Sequence, residues 1–218
     1  MDVAQLVLKK YNIKTDVIEI PNVTRDDLAE FFAELGYTDE HGYALEGVEV
    51  GVASGQYSEV LLKTIPKLNL AGVDPYTPYK GYRDYTRLGT FDSLEKQAHA
   101  RLDKYSNYEF LKMTSLEAAE KIPDESLDFV YIDANHSEPY VSQDIEAWTP
   151  KVRKGGIVAG DDYARIKGSN GADSSNWAVI PAIHKYTKEH DYQLYIWGLE
   201  AKLPGLKRDD SRSWMFIK

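Results

Sequence analysis

The sequence predicts an α/β fold: a mostly parallel, seven-stranded sheet with helices on both faces and a C-terminal antiparallel β-hairpin. Two observations carry this. From residue 46 onward, short β-branched runs bounded by turn residues alternate with helical segments, five times over. The last two β-rich runs, "YQLYIWGL" and "SWMFIK", have no helix between them and so should pair antiparallel. Strands separated by helices form parallel sheets, whereas directly connected strands form hairpins.

Each element has its own signal. "NVTRDDLAEFFAELGY" reads as a helix capped by Thr24, with Asp27 three residues on and Leu28, Phe31, Phe32 and Leu35 along one face. "VEVGV" is a buried first strand, and "SEVLLKTIPKL" a helix ending near Pro66. "NLAGVDPY" then "TFDSLEKQAHARLDKY", and "YEFLKM" then "SLEAAEKI", form the next two units. "LDFVYIDANH" precedes the helix "YVSQDIEAWTPKV", and "GGIVAGDDY" precedes "WAVIPAIHKYTKEH". With no repeat or low-complexity linker, the 218 residues read as one domain, with 1–45 a helical N-terminal extension and 46–218 the core.

Composition narrows the function. No cysteine is present, which excludes thiol nucleophiles and zinc-thiolate sites. A formal charge of −9 disfavours a nucleic-acid partner, and the basic pair Lys207 and Arg208 is answered at once by Asp209 and Asp210. No apolar run reaches the roughly 18 residues of a membrane span, and the N-terminus lacks a signal-peptide layout. A cytoplasmic protein without a membrane partner is expected. A homodimer is left open.

In such sheets, ligands sit outside the carboxyl ends of the strands. The first of these ends reads Glu49-x-Gly51-x-Ala53-x-Gly55. A dinucleotide fingerprint starting at Gly51 needs glycines at 53 and 56, where the chain has Ala53 and Gln56. Asp74 ends the second strand, and its two oxygens can accept from both hydroxyls of a ribose. Thr114 and Ser115 follow the third strand, where helix capping is the plain alternative to ligand contact. Asp133 and His136 end the fourth strand, and Asp161 and Asp162 the fifth. So many ionisable groups at buried strand ends need a cation or hydrogen-bond donors to compensate them. A hard divalent ion suits oxygen ligands, with turn-capping aspartates the alternative. His136, titrating near neutrality, is the candidate general base. His41, His99, His184 and His190 read as surface residues.

These residues resemble those of class I S-adenosylmethionine-dependent methyltransferases, in which an acid precedes alternately spaced glycines and the middle glycine is often alanine. The resemblance spans roughly residues 46 to 163 and implies a Rossmann-like methyltransferase fold. It places S-adenosylmethionine on Glu49, Gly51, Ala53, Gly55, Ser58, Asp74, Ser115 and Asp133. "DFVYIDANHSEPYVSQDIEAWTPKVRKGGIVAGDDY" further resembles the Mg2+-dependent sugar O-methyltransferases of antibiotic biosynthesis. That branch implies an Mg2+ ion on Asp133, Asp161 and Asp162 that orients a substrate hydroxyl; His136 and Asp133 are the candidate catalytic residues. Where the sugar enzymes show a second acid, this chain has Asn135, followed by His136.

The expected activity is methyl transfer to a hydroxyl of a small-molecule acceptor, a sugar or a phenol. Its competitors are an NAD-dependent oxidoreductase, which lacks its glycines here, and a non-catalytic S-adenosylmethionine-binding protein. An amino-methyltransferase of nucleic acids would show an Asp/Asn-Pro-Pro-aromatic run where this chain has "IDANH". The Tyr-rich stretch 76–91 is expected over the cofactor pocket, with ordinary packing on a loop the alternative, and the Gly/Ser-rich loop 165–177 on the acceptor side.

Overall fold

The computed structural model describes residues 17–20, 23–37, 44–65, 67–78, 88–163, 178–198 and 212–218, with side chains left out of the description at 35–37 and 88–89. His41, the Leu35 side chain, most of the Tyr-rich stretch, the loop 165–177 and the Lys207–Arg208 pair lie outside it. The strands are β1 (Val17–Ile20), β2 (Leu45–Val50), β3 (Leu68–Val73), β4 (Tyr108–Leu111), β5 (Leu127–Ile132), β6 (Val152–Tyr163), β7 (Leu194–Trp197) and β8 (Arg212–Ile217). The helices are α1 (Arg25–Tyr37), α2 (Gln56–Thr64), α3 (Leu88–Leu102), α4 (Ser115–Lys121), α5 (Tyr140–Trp148) and α6 (Val179–Glu189).

One sheet, ordered β1-β7-β8-β6-β5-β2-β3-β4, contains all eight strands. The five strands read from the sequence are β2 to β6, all mutually parallel, and β8 runs antiparallel to both β7 and β6. The expectation of seven strands is corrected to eight. The extra strand is β1, "VIEI", from the segment read as a helical extension; it pairs in parallel with β7 from Val17↔Leu194 to Ile20↔Trp197. Its β-branched residues suit a strand, and it covers an edge that β7 would otherwise expose.

β5 shows why the centre of the sheet reads as a continuous apolar run: every residue of "LDFVYI" is buried. Phe129 and Tyr131 pack with Leu28 and Phe32 of α1 and Leu61 of α2. Val130 and Ile132 face the other way, toward Ile145 and Trp148 of α5 and Ile183 of α6. Phe32 and Phe129 stack with ring centroids 4.5 Å apart. Two such apolar layers fix the heights of the strands, and so of the side chains at their carboxyl ends. The connection order reverses between β2 and β5, which opens the crevice there.

Candidate active site

The glycine turn leaves β2 at Val50. Gly51 has φ 97°, and a β-carbon on it would run into the carbonyl oxygen of Asp133 at the end of neighbouring β5. Only glycine allows both the left-handed backbone and the close approach. Gly55, φ 74°, starts α2, and a β-carbon there would come within 2.6 Å of Leu102 Cδ1. Between them, Ala53 also takes a left-handed φ of 48°.

Asp74 holds this turn together. Its Oδ2 accepts from the backbone N–H groups of Val52, at 3.1 Å, and Ala53, at 3.0 Å, while Oδ1 accepts from Tyr76 N at 2.8 Å. The carboxyl is half-buried, and burial raises its pKa above the usual range. Tyr76, from the Tyr-rich stretch, donates its hydroxyl to the Ala53 carbonyl at 2.9 Å and is itself buried. Below the turn, Glu49 is 1% exposed and accepts the hydroxyl proton of Ser58, which is fully buried. Burial pushes Glu49 up to about 8. Glu49 and Ser58 thus lie beneath the turn and brace it.

At the third strand end, Thr114 caps α4: its Oγ1 accepts from Glu117 N at 3.4 Å, and Glu117 Oε2 accepts from Thr114 N at 2.9 Å. The hydroxyl of Ser115 accepts from the Trp148 indole at 2.8 Å and also bonds Asp144. Both groups are buried, and Asp144 is driven up to about 7 by that burial. The Ser115 side chain therefore joins α4 to α5, which leaves the backbone as that position's means of touching a ligand.

The charged groups gather where β5 and β6 end. His136 is 8% exposed; its Nε2 lies 3.1 Å from Asp162 Oδ2 and 3.4 Å from Asp133 Oδ1. Its carbonyl accepts from Ala178 N at 2.8 Å, tying the loop after β5 to the start of α6. Asn135 shapes that loop by accepting from Ser137 N at 3.1 Å. Asp162, at φ 60°, turns toward His136. Asp161 turns away from the imidazole: Oδ1 accepts from Ser213 at 3.3 Å and Oδ2 meets Arg25 Nη1 at 3.0 Å. Burial, and after it repulsion from Asp133, raises the Asp161 carboxyl above the usual range. Arg25 Nη1 also reaches Asp133 Oδ2, at 3.3 Å.

Of the residues expected to hold a metal, the structure brings Asp133 and Asp162 together with His136 and sets Asp161 beside Arg25. Among the described residues, Asp133, His136 and Asp162 are the group whose ligand atoms all lie within 4.8 Å of one another. An imidazole with two carboxylates suits Zn2+ or Mn2+ better than Mg2+, which prefers oxygen ligands alone. The ligand set Asp133, Asp161 and Asp162 does not fit in the same way, because a guanidinium stands between two of its members.

Two participants were not anticipated. Arg25 lies in the N-terminal helix, more than 100 residues from its partners, and looked like an ordinary helix start. The available signal was an excess of strand-end carboxylates with no cation assigned to them. His184, read as a surface residue, is half-buried, with its Nε2 2.8 Å from the Tyr163 hydroxyl.

The family model described as a methyltransferase domain matches residues 48–163, from within β2 to the end of β6. The chain belongs to that methyltransferase family. The match begins just before the glycine turn and ends just after the aspartate pair, so it covers the cluster except for Arg25. No curated protein is significantly similar in sequence. Among solved structures, a Corynebacterium glutamicum protein superposes with a TM-score of 0.58 at 15% identity, covering 100% of this chain and 90% of its own. A Staphylococcus aureus protein described as a caffeoyl-CoA O-methyltransferase gives 0.56 at 15% identity, covering 99% and 91%. Precorrin-6y C5,15-methyltransferase from Geobacter metallireducens gives 0.55 at 12% identity, covering 94% and 98%. At these identities the likeness shows the class I methyltransferase fold and leaves the acceptor undefined. Membership of the family implies S-adenosylmethionine as the methyl donor. Among the described residues, no helix is long and apolar enough to cross a membrane.

Proposed function

We propose that this methyltransferase moves the methyl group of S-adenosylmethionine to a hydroxyl of a small molecule, with His136 receiving the hydroxyl proton. The observation that carries the reading is the position of His136 Nε2, 3.1 Å from Asp162 and 3.4 Å from Asp133, at strand ends that adjoin the glycine turn. When bound, the cofactor supplies an electrophilic methyl on a sulfonium. The chain's own groups fit it. Gly51 and Gly55 let the backbone approach closely, and Asp74, with both sites of Oδ2 and one of Oδ1 taken by the turn, keeps one Oδ1 site for a single ribose hydroxyl rather than the expected two. Asp133 and Asp162, both facing Nε2, favour the charged form the imidazole takes on receiving a proton. The remaining work is alignment of the acceptor oxygen with the methyl.

A second reading has its own observation in the Asp133, His136 and Asp162 donor set. With an ion there, His136 would be a ligand and could not serve as base. The Mg2+ implied by the sugar-enzyme resemblance would instead use Asp133, Asp161 and Asp162, of which Asp161 sits on Arg25. We also read the chain as a single domain that includes β1 and α1, acting in the cytoplasm without nucleic-acid or membrane partners, and with homodimerisation open.

Transfer of label from methyl-labelled S-adenosylmethionine to a panel of sugars, phenols and carboxylic acids tests the proposal. Wild type should place the label on an oxygen, and His136→Asn should slow this about 100-fold or more. Label on nitrogen or carbon, or an unimpaired His136→Asn, contradicts it. S-adenosylmethionine binding with no transfer across the panel would favour the non-catalytic alternative.

A further inference from the structure

We propose that Arg25 is the resident cation of this carboxylate cluster, a positioning residue that ties Asp133 to Asp161 where a divalent ion would otherwise bridge them. A single guanidinium nitrogen contacts both acids, at 3.3 and 3.0 Å. The two oxygens it meets are Asp133 Oδ2 and Asp161 Oδ2, so the guanidinium stands between the two carboxylates. The other oxygen of Asp161 is engaged by Ser213, whose Oγ lies 3.2 Å from the Tyr131 hydroxyl. Asp161 is thus surrounded by protein donors and is 5% exposed.

Arg25 is also held from behind. Its guanidinium carbon lies 4.7 Å from the centre of the Tyr57 ring, a cation–π arrangement. The Tyr57 hydroxyl donates to the Arg25 carbonyl at 3.1 Å, and the Trp197 indole donates to the Thr24 carbonyl at 2.9 Å. The first turn of α1 is therefore pinned to α2 and β7, and the arginine enters the site as a fixed part. An arginine stays charged at every physiological pH, so the neutralisation is permanent and independent of metal supply. A buried acid pair without it would repel. By holding Asp133 Oδ2, Arg25 also fixes the oxygen that faces His136. This second role rests on the methyl-transfer reading; the competition with divalent ions does not.

Mn2+ titration, followed by loss of the paramagnetic signal of the free ion, tests the proposal on wild type, Arg25→Gln, Asp161→Asn and the double variant. S-adenosylhomocysteine calorimetry is run beside it. Arg25→Gln should bind Mn2+ roughly ten-fold tighter than wild type, because a unit charge at contact distance has been removed. Adding Asp161→Asn should cancel the gain. Equal affinity in wild type and Arg25→Gln would overturn the proposal, as would a gain that survives in the double variant. Should Arg25→Gln fail to fold, the near-isosteric Asp161→Asn decides alone. A loss of Mn2+ affinity of no more than about ten-fold, that of one neighbouring charge, supports the proposal, and a larger loss makes Asp161 a metal ligand and overturns it. Wild type that shows the Mn2+ pattern without binding S-adenosylhomocysteine would remove the cofactor reading and leave Arg25 in its role.

Discussion

His136 Nε2 lies 3.1 Å from Asp162 Oδ2, across the ends of adjoining parallel strands. The pair joins the loop after β5 to the end of β6, so its geometry is set by the sheet. An acidic partner at that distance stabilises the imidazolium formed during proton acceptance. Asp162→Asn keeps the shape and removes the charge. It should lower the transfer rate by about ten- to 100-fold while leaving S-adenosylhomocysteine affinity within about three-fold. Calorimetry and a single-turnover assay on the same preparation check this, and a parallel loss of binding would mean that Asp162 serves the cofactor.

Gly51 and Ala53 make opposite predictions although both have positive φ. Gly51→Ala adds a β-carbon against the Asp133 carbonyl oxygen, which the sheet holds in place, and should cost about 2–4 kcal/mol. Ala53→Gly relieves a left-handed alanine worth about 1 kcal/mol, offset by the greater chain entropy of unfolded glycine. Its stability should stay within about 0.5 kcal/mol of wild type. Urea unfolding of the two variants measures both. A stable Gly51→Ala protein would contradict the packing described for the turn.

Glu49 gives a pH signature with a definite sign. Burial raises its folded-state value to about 8 from an ordinary 4.5. The folded form then holds a proton that the unfolded chain has lost, so stability falls as pH rises from about 4.5 through about 8 and levels off above. Asp144, raised to about 7 by burial, adds a slope of the same sign that ends near that pH. Glu49→Gln keeps an acceptor for Ser58 and removes the titration. Its melting temperature should exceed that of wild type at pH 8.5 and converge with it near pH 5. A steeper pH dependence in the variant would be inconsistent with a protonated Glu49.

The fold was legible where the sequence obeys one period over a whole element. β2 to β6 are β-branched runs closed by glycine or aspartate, and buried strands of a parallel sheet have few other ways to look. β1 was not legible. Four residues carry too little pattern, and its partner β7 lies more than 170 residues away. In the site, Asp74, Asp133, Asp161 and Asp162 were visible because each ends a strand, and strand ends meet in space. Which way each carboxylate turns was not visible. Asp161 and Asp162 are adjacent and separate through the φ of 60° at Asp162, a backbone state that no residue type there announces. The engagement of the Ser115 hydroxyl was invisible for another reason: the group that holds it, Trp148, comes from the next helix, α5, and looks like plain core.

The glycine turn and Asp74 form the cradle proposed for S-adenosylmethionine. Calorimetric titration of wild type and Asp74→Ala with S-adenosylhomocysteine, and with NAD+ in parallel, tests it most directly. The expected result is saturable S-adenosylhomocysteine binding by wild type, weakened about ten-fold or more in Asp74→Ala, and no heat from NAD+. Removing Asp74 takes the acceptor from three backbone donors of the turn as well as from the ribose. Binding of NAD+ in place of S-adenosylhomocysteine, or an Asp74→Ala variant that binds S-adenosylhomocysteine like wild type, would contradict the account.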